Sequence, residues 1–161
     1  MSEFLHVKTD IKAEHKSCFI QALEDANPYR RGHIEVYEGK GELLKTYLAK
    51  DQRGQRANII IRRQYVGPAS NDIGFTILPD GTLDSVISDY DRGHKDEHGD
   101  YTGRYGTAWM NKNMMEYSVR VAEKQAMELD MDMEKTVNED GTYHVEMYPR
   151  GAGQHLTTRT W

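Results

Sequence analysis

Asp72-Ile73-Gly74-Phe75-Thr76-Ile77-Leu78-Pro79-Asp80-Gly81-Thr82-Leu83-Asp84-Ser85-Val86-Ile87-Ser88 is the stretch on which the fold turns. Two runs of aliphatic, aromatic and β-branched residues flank Pro79-Asp80-Gly81-Thr82, and Asp-Gly readily supplies the positive φ that a tight hairpin needs. An antiparallel pair is predicted, 72–78 against 82–88. Upstream, Ala57-Asn58-Ile59-Ile60-Ile61-Arg62-Arg63 carries three successive isoleucines, which suits a strand buried on both faces. Gly67-Pro68 and Ser70-Asn71 break the chain between these runs. His33 to Tyr37 alternates and stops at Glu38-Gly39-Lys40-Gly41, whereas Glu42 to Ala49 fits a short helix or a strand-like excursion equally well.

Helical periodicity frames this strand-rich centre. Phe4 to Thr9 reads as a first strand, and Asp10 stands as an N-cap candidate ahead of a helix with Glu14 in its early turns. Ile11, His15, Cys18, Phe19, Ala22, Leu23 and Ala26 recur at spacings of three and four, forming one stripe that ends at Asn27-Pro28. A longer helix is predicted from about Thr107 to Leu129. Its inward stripe is Met110, Met114, Tyr117, Val121 and Ala122, with Met115, Ala126 and Leu129 beside it. Six of the eight methionines lie in or just after it, a usage that fits irregular core filling. Met131 to Val137 and Thr142 to Tyr148 predict a closing hairpin around Glu139-Asp140-Gly141-Thr142. Helices among mainly antiparallel strands give an α+β two-layer sandwich with both helices on one face of the sheet, ferredoxin-like with added strands. A single domain over 1–148 and a loosely attached tail over 149–161 follow.

Composition narrows the function classes. At 161 residues, 37% hydrophobic and 29% charged, the chain is polar yet has enough periodic apolar sequence for one core. No apolar run is long enough for a membrane span, and Met1 to His6 lacks the basic and apolar regions of a secretory leader. The single cysteine, Cys18, excludes an internal disulfide framework and suits a reducing, cytoplasmic setting. Net charge is -5 overall but +5 over residues 29–66, so generic DNA binding is not expected although a local anion-binding face is.

Two groups of residues carry candidate chemistry. Tyr29-Arg30-Arg31, Arg63-Gln64-Tyr65 and Arg104-Tyr105 pair cations with aromatic rings, an arrangement that can hold a nucleotide or other anion. Arg30, Arg31, Arg62, Arg63, Arg104 and Tyr105 are therefore the ligand-binding candidates. The stretch from Asp89 to Gly106 has four glycines, no aliphatic residue and the possible metal ligands Asp89, Asp91, His94, His98 and Asp100. It lacks an EF-hand pattern, has nothing sizeable to bury, and is predicted to be an exposed, mobile acidic loop that orders on binding. No nucleophile motif, phosphate loop or cofactor motif is present, so catalytic residues and cofactors are expected to be none.

Several stretches together resemble a known family. They are Met1-Ser2-Glu3-Phe4 with Val7-Lys8-Thr9-Asp10-Ile11, then Ala22-Leu23-Glu24-Asp25, then Arg53-Gly54 ahead of Ala57-Asn58-Ile59-Ile60-Ile61, and Asp72-Ile73-Gly74-Phe75. Ser88-Asp89, Tyr117 to Ala122 and Glu139-Asp140-Gly141 continue the series. In order and spacing the chain resembles the hypothetical chloroplast reading frame "ycf thirty-five" family, a domain of unknown function in cyanobacteria, algal plastids and cyanophages. The family carries histidine at the third position, where this chain has Glu3, so no role of that histidine is carried over. The resemblance implies a cyanobacterial, plastid or phage-infected host setting. Through the genes that accompany the family, it also implies association with a AAA+ ATPase system. The leading expectation is a binding or adaptor protein that docks a protein partner through its sheet face or an edge strand. The alternatives are a nucleotide- or anion-binding protein using the 29–66 segment, and a metal-dependent hydrolase using the 89–100 loop.

Overall fold

The computed structural model describes the backbone of residues 4–27, 31–48, 51–150 and 157–160, and the side chains of 11–27, 31–48 and 54–150. In chain order the elements are β1 (Phe4–Lys12), α1 (Lys16–Ala26), β2 (Ile34–Val36), β3 (Glu42–Lys45), β4 (Asp51–Ala57), β5 (Ile59–Ile61), β6 (Ile73–Ile77), β7 (Thr82–Ser88), α2 (Asp89–Arg92), α3 (Thr107–Glu128), β8 (Met131–Val137), β9 (Tyr143–Pro149) and β10 (Thr157–Thr160).

The hairpin forms where its sequence places it. Phe75 faces Ser85 and Ile77 faces Leu83, and the turn closes with Leu78 N–H donating to the Thr82 carbonyl at 2.8 Å while Gly81 takes φ 82°. The pair sits at the centre of a five-stranded antiparallel sheet of order β1-β7-β6-β5-β2. Alternation then sorts the side chains. Ile59, Ile61, Ile73, Phe75, Leu83 and Ile87 meet Phe19 and Leu23 of α1 and Met110 and Tyr117 of α3, so both helices cover one face. Phe19 stands edge-on to Phe75 at 4.7 Å, the geometry that ring quadrupoles favour.

The opposite face is covered too. Ile60 and Val86 pack with Leu44 of β3 and Ala57 of β4, the two strands of a separate ribbon. The three isoleucines are thus buried on both sides, as their run predicts. Gly74 permits the approach: a Cβ there would lie 2.5 Å from the Ala57 Cβ and 2.9 Å from Leu44 Cδ2. The 42–49 stretch, open between helix and strand in the sequence, supplies a strand because Leu43 and Lys45 pair with Arg56 and Asp51. Beyond α3 lies a third sheet, β10-β9-β8, whose Val145 packs on Val119 and Ala122.

Two expectations are corrected. Asp10 and Ile11 lie in β1 rather than at a helix start, and α1 begins at Lys16, because pairing with β7 carries the strand on to Lys12. The tail is not wholly loose, since Thr157 to Thr160 pair with Met147 to His144; residues 151–156 lie outside the described ones. The α+β class holds, but a ferredoxin-like order is not confirmed: β1 is an edge strand paired with β7, and β8 and β9 belong to a different sheet.

Candidate functional site

Beyond β5 the chain makes a one-turn 3-10 helix, Arg63–Tyr65, and a turn that returns it to β6. A buried carboxylate fixes both ends of this segment. Asp72, with no exposed surface, accepts the Arg63 N–H on Oδ1 at 2.7 Å, and on Oδ2 both the Lys45 N–H and Arg62 Nη1, each at 2.8 Å. Arg62 also donates Nε to both Glu35 oxygens at 3.0 Å and Nη1 to the Leu43 carbonyl at 2.9 Å. Burial alone would push the Glu35 carboxyl up, but donation from Arg62 and Tyr37 outweighs it and holds the group below its ordinary value. Burial likewise opposes the Arg62 charge, and Glu35 and Asp72 outweigh it, so its pKa is raised. Arg62, a ligand candidate by sequence, is therefore committed to knotting β2, β3, β5 and β6 together.

Arg63 points elsewhere. Its Nε and Nη2 donate to the Ser70 and Pro68 carbonyls at 3.2 and 3.0 Å, which closes the 63–70 segment and leaves donor capacity on the guanidinium. With Gln64, Tyr65, Val66, Gly67, Pro68 and Arg104 it lines a cleft of about 560 Å³. Arg104 reaches the same cleft from the far segment and lies over the Tyr105 ring at 5.4 Å. Among the described residues neither Arg63 nor Arg104 meets a carboxylate, whereas Arg31, Arg62, Arg120 and Arg150 all do.

The far segment is folded, and here the structure departs from the prediction of an exposed loop with nothing to bury. Ser88 caps α2: its Oγ accepts the Asp91 N–H at 3.1 Å and donates to Asp91 Oδ2 at 2.8 Å. Ser70 Oγ donates to Asp91 Oδ1 at 2.5 Å and Tyr105 Oη to the Val66 carbonyl at 2.7 Å, so two hydrogen bonds staple the segments together. Gly93, at φ 79°, lies so close to the Gly103 backbone that a side chain would not fit. Asp91, Arg92 and Tyr105 are buried, while 97–100 remain exposed. Polar atoms bonded to one another do the packing here, which apolar patterning does not reveal.

Arg92 is the outlier. Only 2% exposed, it donates Nη2 to Ser85 Oγ at 3.2 Å and lies 5.2 Å from the Tyr101 ring centre, and among the described residues its buried Nε has no partner. Burial lowers its pKa, only partly offset by Tyr101 and Asp84.

The other sequence candidates disperse. Arg31 is exposed and pairs with Asp25, and Arg30 lies outside the described residues. Asp91 is held by Ser70 and Ser88, Asp89 is exposed, His94 Nδ1 meets Thr102 Oγ1 at 3.2 Å, and His98 lies 3.5 Å from Glu97. Among the described residues no three histidine, cysteine or acidic side chains group as a metal site. Cys18 is buried in the helix–sheet core. Of the six ligand candidates the structure brings Arg63, Arg104 and Tyr105 together, and it adds Tyr65, Ser70, Tyr90 and Asp91. Ser88-x-x-Asp91, spaced as a capping box, is the one signal in the sequence for the buried role of Asp91. No helix among the described residues is long and apolar enough to cross a membrane. Comparison with family models, with curated proteins and with solved structures finds no match.

Proposed function

We propose that this protein binds a small oxyanionic ligand, such as a phosphate group, in the cleft between the 63–70 segment and the 90–105 segment. The observation that carries the reading is the convergence of Arg63 and Arg104, from distant parts of the chain, on one cleft, with no carboxylate paired to either among the described residues. Guanidinium groups present planar, permanently charged donor forks that match phosphate and carboxylate oxygens. The basic 29–66 segment contributes one of these two arginines, and the other comes from the acidic half. Calorimetric titration with inorganic phosphate and pyrophosphate tests the reading. Binding should weaken at least tenfold in Arg104→Ala and in Arg63→Ala and should fall with added salt. Affinities indifferent to both substitutions would refute it.

A second reading, docking of a protein partner, draws on a different observation. Both faces of the main sheet are covered, which leaves its edges; among the described residues β2 pairs with β5 alone, and Val36 beside that edge is exposed. An extended peptide adding to β2 would suit such an edge. The family resemblance adds a AAA+ ATPase system as the partner class and a cyanobacterial, plastid or phage-infected cytoplasm as the setting. Crosslinking at Val36→Cys in host lysate tests this reading, and capture that is equal at a control cysteine remote from β2 refutes it.

A further inference from the structure

The oxyanion cleft continues into a second hollow of different chemistry. Val66, Gly67, Pro68 and Arg104 belong to both, and the second, of about 350 Å³, is completed by Ala69, Ser70, Tyr90, Asp91 and Tyr105. Asp91 is a buried carboxylate beside a cleft whose other end is cationic. A simple oxyanion gains nothing from Asp91 and is repelled by it. A ligand with an anionic end and a hydroxyl-bearing middle gains from both.

Hydrogen-bond capacity sharpens this. An ionised carboxylate offers about four lone-pair directions. Ser70 uses one on Oδ1 and Ser88 one on Oδ2, so each oxygen keeps acceptor capacity. The serines hold the carboxylate in one orientation, as a group that reads a ligand must be held. At the lip stands Tyr90, 62% exposed although it is a large aromatic side chain, a platform for a flat ring. Tyr105 is buried at the junction, with its hydroxyl spent on Val66 and its ring beneath Arg104.

Resting on the oxyanion-binding reading above, we infer that the ligand is a ribonucleoside phosphate. Its phosphate lies between Arg63 and Arg104, its ribose hydroxyls donate to Asp91, and its base stacks on Tyr90. The two hollows together have the size of ordinary small-molecule sites. Two neighbouring hydroxyl donors suit a carboxylate far better than a deoxyribose does, because a site built to accept a hydroxyl rejects the analogue lacking it.

The test is calorimetric titration of the full chain with AMP, 2′-deoxy-AMP, 2′,3′-dideoxy-AMP and inorganic phosphate, repeated on Asp91→Asn and Tyr90→Ala. AMP should bind at least tenfold tighter than its dideoxy form, and Asp91→Asn should erase most of that difference without weakening phosphate. Tyr90→Ala should weaken AMP severalfold and leave phosphate unchanged. Tyr90 is exposed, so its variant will fold, and it carries the test together with the deoxy series if Asp91→Asn does not fold. Equal binding of AMP, its dideoxy form and phosphate, all dependent on Arg104, would overturn this inference and leave the oxyanion reading standing. Absence of binding by every ligand would overturn both.

Discussion

Replacing Arg62 and Arg92 by methionine, one at a time, should move stability in opposite directions although both guanidinium groups are largely buried. Methionine keeps most of the aliphatic stem of arginine, so the comparison isolates the head group. Without Arg62, the fully buried Asp72 loses its cation and, among the described residues, keeps the Lys45 and Arg63 N–H groups as its donors. Breaking a buried pair in this way costs about 3–5 kcal/mol. Without Arg92 no carboxylate among the described residues loses an ion pair, and of the interactions with carboxylates only the favourable field between Arg92 and Asp84 goes. The other losses are one long hydrogen bond to Ser85 and the approach to Tyr101, together about 2 kcal/mol. Against these stands relief from burying a charge whose Nε is unsatisfied, several kcal/mol after relaxation. The net expectation is a gain of about 1–2 kcal/mol. The two variants should therefore differ by about 5 kcal/mol, or more than 10 °C in melting temperature for a chain of this size. Urea unfolding followed by tryptophan fluorescence and far-ultraviolet dichroism, with unchanged m-values, measures this directly. Equal destabilisation by the two substitutions would show that the Arg92 charge is compensated and would refute the reasoning.

Other perturbations probe separate links. Gly74→Ala drives a methyl group into Ala57 and Leu44 and should cost about 1–3 kcal/mol, read as a lower urea midpoint. Glu35 titrates below its ordinary value of 4.5, so its stabilising contribution is full above that pH and is lost as pH falls through the folded value. Glu35→Gln should accordingly flatten the stability loss below about pH 4.5, an effect that urea midpoints across pH 3–7 would reveal or exclude. Replacing residues 94–100, mostly exposed, with a short Gly-Ser linker should cost less than about 1 kcal/mol. A fall of ten degrees in melting temperature would show that the tip contributes to the packing of Arg92 and Tyr105.

Apolar periodicity made the layers legible. Ile59 to Ile61, the stripe of Cys18, Phe19, Ala22 and Leu23, and the hairpin at Asp80-Gly81 lie where their patterns place them. In α3 the pattern was only half the story: Asn113 and Val119 are buried outside the Met110–Tyr117 stripe. Asn113 accepts from Asn27, and β9 covers Val119. A helix with sheets on two sides does not announce its second face when that face is built from Val119 and Ala122, nor does it announce a buried Asn113 that bonds to Asn27. The site was legible in its arginines and tyrosines but not in their sorting. Whether an arginine serves a ligand or a fold depends on which carboxylates tertiary structure brings to it, and Arg62 and Arg63 are neighbours with opposite answers. The 89–106 segment was opaque for a related reason, because hydropathy counts Asp91 and Arg92 as surface residues.

The edge position of β1 bears on how the molecule assembles in time. β5, β6 and β7 form a meander whose pairings close short loops, whereas β1 must wait for β7, just past the middle of the chain, before a single rung of its ladder can form. Closing so long a loop is entropically slow, so the meander is placed to nucleate and β1 to zip on afterwards, bringing α1 down onto the finished sheet. Truncations at Ile73 should then slow folding, while those at Ile11 should mainly hasten unfolding. Until β1 arrives, the free edge of β7 is open to any other extended chain, and the Phe4–Lys12 strand acts during folding as the guard of that edge against self-association.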